Sequence, residues 1–170
     1  TIHTTSDRLL RFVDSFRAVT RIPAPQKAPF YLSELVAESL SLIPHEGIEV
    51  ETSIEPEDTM LYADRALMSQ VMVNLLKNAT EALLAQDCNR KVTIRSTIDA
   101  EERIQIEITN NGSAIPAEVA ENIFTPFFTT KTDGSGIGLA VSRQIVRLHG
   151  GSLRLKHNEE SKVTFAVVME

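Results

Sequence analysis

The 170 residues are 42% hydrophobic and 24% charged, with a formal net charge of −6, the balance of a soluble globular chain with room for one sizeable core. Seventeen basic against 23 acidic residues leave no electrostatic footprint for nucleic acid or an anionic membrane surface. No apolar run reaches the length of a bilayer span, and the single Cys88 excludes an intrachain disulfide and suits a reducing compartment.

Residues 1–22 place Leu9, Phe12, Val13 and Phe16 on one face and Asp7, Arg8, Arg11 and Arg17 elsewhere, so an amphipathic helix is expected. It begins without a starting Met, as a piece of a longer polypeptide would. PAPQKAP, residues 23–29, breaks the helix, because proline lacks a donor and restricts the residue before it. It reads as a linker. Phe30 to Ile43 reads as a short strand leading into a helix that starts near Ser33. Ile48 to Ile54 and Met60 to Tyr62 read as strands separated by a turn at EPED.

Asp64 is placed to cap a central helix running to Ala85, with Leu67, Val71, Leu75, Ala79 and Leu83 at helical spacing and Met68, Met72, Leu76 and Ala82 widening the apolar arc. Gln70, Asn74, Asn78 and Glu81 line its other side. KVTIRSTI and RIQIEITN then alternate with period two around a polar turn at Asp99 to Glu102, which predicts two antiparallel strands. Periodicity vanishes from Asn111 to Ser135 apart from a short helix over Pro116 to Ile123, and so long an irregular stretch is more often functional than structural. Gly138 to His149 resumes helical spacing and stops at Gly150 and Gly151. SLRLK and KVTFAVVM close the chain as strands.

Asn is a mediocre helix former, so Asn74 and Asn78, four residues apart on one face, point to a ligand as well as to a solvated stripe. A side-chain carbonyl there suits magnesium, which prefers oxygen and borrows ligands from a nucleotide. Lys77 could meet phosphate or simply face solvent. GSGIGLA, with Gly134, Gly136 and Gly138 leading into a helix, offers amide donors and a positive dipole end to phosphate, or a tight turn. It is no P-loop, because Leu139 stands where a lysine is required. Asn110 can read an adenine edge or start a turn; Phe127 and Phe128 can cover a ligand or pin a loop. Thr129, Thr130 and Lys131 suit phosphates. His149 sits at a helix end, where a cation is favourable and a structural role is expected.

Taken in order, these segments resemble the catalytic domain of two-component sensor histidine kinases. NLLKNATEA resembles that family's Asn-rich box, NNGSAIP its first glycine box, IFTPFFTTK its Phe box and GSGIGLA its second glycine box, with HGGSL after the last helix. The overall style is similar to nitrogen-regulation type sensor kinases.

The resemblance implies an α+β fold, the two-layer α/β sandwich called the Bergerat or GHKL fold, with a mixed, mostly antiparallel sheet covered by helices on one face. It implies residues 1–22 as the end of a dimerisation helix, 23–29 as linker and 30–170 as the ATP-binding domain, with an ATP lid over about 111–136. ATP and Mg2+ are the implied cofactors, with Asn78 as metal ligand and Asn74 and Lys77 as catalytic residues near the phosphates. Asn110, Gly112, Ile115 and Phe128 would meet or border the base, and Thr129, Thr130, Lys131, Gly134, Ser135, Gly136, Ile137, Gly138 and Leu139 would surround the phosphates. The implied partners are upstream phosphoacceptor helices of the same protein, a second copy in a homodimer, and a response regulator. The implied location is cytoplasmic, in a protein type often anchored in the inner membrane.

Three departures stand out. Asn110 replaces the family's usual Asp, and Ala114 a usual glycine. No phosphoacceptor box is present, so γ-phosphoryl transfer would go to a histidine outside these residues. Two rivals remain: a GHKL-type ATPase, whose relatives carry a water-activating Glu where Asn74 stands, and a degenerate regulatory domain with weak or no nucleotide binding.

Overall fold

The computed structural model describes residues 2–170. α1 (Ile2–Thr20) buries none of its residues; Leu9, Phe12 and Phe16 are more than half exposed. The linker stops short of its expected end, because Ala28 and Pro29 already belong to β1 (Ala28–Tyr31). Proline is tolerated there because the strand sits in a two-stranded sheet. β1 is followed by α2 (Leu32–Ser41), β2 (Glu49–Ile54) and β3 (Met60–Ala63), and β3 pairs antiparallel with β1.

α3 (Arg65–Glu81) is the central helix, and Met68, Val71, Met72, Leu75, Leu76 and Ala79 are buried along it. Each of the buried Val, Leu and Met side chains contributes about 1.5–3 kcal/mol relative to exposure. The helix ends four residues before the expected Ala85: Ala82 to Ala85 form turns, with Leu83 still buried. The apolar spacing continues past the end because those turns keep Leu83 pointed at the core.

β4 (Lys91–Ile98) and β5 (Ile104–Asn110) form the expected antiparallel hairpin. A short α4 (Ala117–Ala120), then α5 (Gly138–Leu148), β6 (Ser152–Glu159) and β7 (Lys162–Met169) complete the chain. The main sheet has five strands in the order β2-β4-β5-β7-β6, with β2 parallel to β4 and every other pair antiparallel. The register sets Ile94 opposite Ile108 and Ile108 opposite Phe165, so period-two alternation lines Val92, Ile94, Ile106, Ile108, Val163, Phe165 and Val167 along one apolar face. α3 and α5 cover that face, and Leu75, Ile145 and Val146 are buried against it.

Asp64 ties three elements together. Its Oδ1 accepts from the Leu67 N–H at 3.1 Å, the expected helix cap, and Oδ2 accepts from the linker Gln26 N–H at 2.9 Å. These donors, Gln26 first, hold the carboxyl below its ordinary value. The Asp64 N–H donates to Nε2 of His149 at 3.0 Å, while His149 Nδ1 faces the Ile145 carbonyl at 2.7 Å. A backbone N–H can only donate, so Nε2 accepts and Nδ1 carries the proton. His149 therefore has the expected structural role but as a neutral imidazole, buried between α3 and α5, rather than as a helix-terminal cation.

Candidate functional site

The polar stripe of α3, the end of β5, the start of α5 and the loop from Asn111 to Ile137 enclose a cleft of about 840 Å³. Parity places Asn110: it shares the helix-covered face with Ile106 and Ile108, opposite Val163 and Val92, and is 3% exposed. Its Oδ1 accepts from the Gly112 N–H at 3.0 Å, an Asx turn that fixes which end of the amide is oxygen. A side chain at Gly112 would lie 2.9 Å from that oxygen, so the turn is packed too closely for a Cβ.

Asn74 faces α5. Its Nδ2 donates to the Gly138 carbonyl at 3.2 Å and to Ser142 Oγ at 3.1 Å, bracing the first turn of α5 against α3. That brace aims the unpaired amides of the α5 N-terminus into the cleft. Asn78 lies one turn further along α3, and its Oδ1 accepts from Lys131 Nζ at 3.1 Å. The same ammonium is hydrogen-bonded to Glu81, and Lys77 Nζ stands 3.8 Å from the other Glu81 oxygen. A cation thus already sits against the Asn78 carbonyl, so this amide oxygen with a neighbouring carboxylate fits a hard cation.

The loop is pinned at several points. Asn158 of β6 accepts from the Ile115 N–H at 2.7 Å and donates to its carbonyl at 2.8 Å. Phe124 packs edge-on against Phe165, with the Arg143 guanidinium 4.8 Å from its ring centre. The Phe127 N–H donates to the Gly136 carbonyl at 2.8 Å. Gly136 has φ +72°, and a Cβ there would lie 2.5 Å from Phe127 backbone, so this crossing admits only glycine. Phe127 turns outward and stacks on Phe12 of α1 at 4.9 Å, whereas Phe128 lines the cleft.

Of the residues expected at the site, Asn74, Lys77, Asn78, Asn110, Ile115, Phe128, Thr129, Thr130, Lys131, Gly134, Ser135, Gly136, Gly138 and Leu139 all line this cleft. Gly112 lies buried behind Asn110, and Ile137 packs against the core. Sequence reasoning missed the pinning role of Asn158 and the Ser142 partner of Asn74, because a contact between distant strands or helices leaves no local pattern. It placed Glu81 on the polar side of the helix without a role, although its i, i+3 spacing from Asn78 carried the signal.

The fold and the cleft define the class, a two-layer α/β sandwich with a loop-covered cleft between a helix stripe and the N-terminus of a second helix. Residues 63–170 match the family described as histidine kinase-, DNA gyrase B- and HSP90-like ATPase. The catalytic domain of histidine kinase ThkA, in a nucleotide-free form, is 36% identical, with a TM-score of 0.74 over 85% of this chain and 95% of that one. ThkA in complex with the response regulator protein TrrA is 31% identical, with a TM-score of 0.76 over 99% of this chain and 48% of that one. Sensor protein FixL of Bradyrhizobium diazoefficiens is 36% identical over 138 residues, 79% of this chain and 27% of FixL. Nitrogen regulation protein NtrY of Azorhizobium caulinodans is 31% identical over 157 residues, 89% of this chain and 20% of NtrY. The chain belongs to the histidine kinase-, DNA gyrase B- and HSP90-like ATPase family, as a catalytic domain of the histidine kinase type. It spans only about a fifth to a quarter of those two sensor proteins. No helix among the described residues is long and apolar enough to cross a membrane.

Proposed function

We propose that this chain binds Mg-ATP in the cleft and presents its γ-phosphoryl group to a histidine on a dimerisation helix, as one step of two-component signalling to a response regulator. One observation carries the reading: the Asn78 carbonyl, the N-terminus of α5 and the buried Asn110 converge on one cleft, covered by the loop that bears Lys131. Residues 111–136 act as the lid.

Asn78 would hold magnesium, which when bound supplies charge neutralisation at the phosphates. The free amides at the start of α5 cradle the phosphate oxygens, and Lys77 and Lys131 add cationic partners. Asn110 meets the edge of the base, while Ile115 and Phe128 exclude water from its faces. Asn74 works by holding α5 in place, and an amide so engaged cannot activate water as an ATPase would require. His149 is buried with both ring nitrogens engaged, and His3 is followed by Thr4 and not by an acidic residue, so neither resembles a phosphoacceptor.

Titration of ATP with and without magnesium tests the reading. Saturable, magnesium-dependent binding is expected, with no phosphohistidine on residues 1–170 alone. Absence of binding at millimolar ATP would favour a degenerate domain, and steady hydrolysis that depends on Asn74 would favour an ATPase.

A further inference from the structure

Glu81 sets a carboxylate into the cleft beside Asn78. It lies three residues after Asn78 on the same face of α3, its side chain is 29% exposed, and it engages Lys131 from the lid as well as Lys77 from its own helix. An acidic group is a poor neighbour for a polyphosphate, because like charges a few ångströms apart repel strongly where water is partly excluded.

We propose that Glu81 makes nucleotide binding at this cleft conditional on a divalent cation, and that Lys131 is the stand-in cation which satisfies Asn78 and Glu81 when nucleotide is absent. This rests on the nucleotide reading of the cleft. Lys131 Nζ sits where the two oxygen donors converge, so it neutralises the carboxylate and holds the lid against α3 at the same time. When phosphates enter, Lys131 can serve them or Glu81 but not both fully. Lys77, 3.8 Å from Glu81 on the same helix, is drawn into the same competition, so without a divalent cation at Asn78 the carboxylate and the phosphates share two ammonium groups, and with one the conflict is relieved. Glu81 is thus a positioning residue that couples cation, lid and nucleotide.

The test compares the affinity for trinitrophenyl-ATP, read by fluorescence, in magnesium and in EDTA. In Glu81→Gln the ratio of the two affinities should fall by about tenfold relative to the unaltered chain, because nucleotide without cation is no longer repelled. A purely structural role would weaken both arms alike and leave the ratio unchanged, which would overturn the inference. If the unaltered chain bound no nucleotide even with magnesium, the nucleotide reading itself would fall. Should Glu81→Gln not fold, Lys131→Met serves instead. Binding of Mn2+ alone, followed by electron paramagnetic resonance, should tighten several-fold once the competing ammonium is gone, and unchanged Mn2+ binding would refute the proposal.

Discussion

At the scale of single residues, Asn110 is where the chain departs most from the pattern it otherwise resembles. Its oxygen accepts from the Gly112 N–H, so one lone pair remains for the amino group of an adenine. A carboxylate would offer one oxygen to each donor and strengthen both bonds by its charge. Asn110→Asp should therefore tighten ATP about fivefold and leave GTP unimproved, as measured by parallel titrations. Equal gains for both nucleotides would show that the residue does not read the base. That Asn110 ends an alternating strand was legible in the sequence, and the structure sets it in the wall of the cleft. Which end of its amide faces the cleft was not, because that depends on a backbone donor brought round by the turn.

Among elements, the β4–β5 hairpin shows how a polar turn is stabilised by its own charges. Burial works against the Asp99 carboxylate, but hydrogen bonds from the Arg103 backbone and side chain and from Gln105 outweigh it and hold its pKa at about 2 against an ordinary 3.8. A carboxyl lowered in the folded state contributes stability above its unfolded pKa and loses it as pH falls through the folded one. The melting temperature of the unaltered chain should therefore exceed that of Asp99→Asn at pH 5, and the gap should close between about pH 4 and pH 2. A gap constant over that range would mean that the turn does not depend on this charge. The strands and helices themselves followed from periodicity, and the boundaries moved only where apolar spacing outlasts a helix, as at Leu83, or where a linker is drafted into a strand, as at Ala28 and Pro29.

Across the whole molecule, Asp64 and His149 join the linker, α3 and α5, the two helices that carry the cleft. Asp64→Ala removes the helix cap and the linker anchor together and should cost about 1–2 kcal/mol in urea unfolding, while Asp64→Asn, which keeps the cap but sets an NH2 group where Oδ2 accepts from Gln26, should lose less. A loss as large in the Asn variant would assign the effect to the charged linker anchor instead of capping. Hydrophobic period was enough, from the sequence by itself, to predict the helices and strands in order, because that signal is local and repeats along the chain. The two-layer α/β sandwich was implied by the resemblance that four ordered segments carry and is the fold the structure has. Only the tertiary structure decided that Lys131 reaches Asn78 and Glu81 from 53 and 50 residues away, that Asn74 braces α5, and that His149 is neutral. Each depends on which groups meet across the fold, and hydrogen bonds and charge pairs between distant segments are specified by packing, not by spacing.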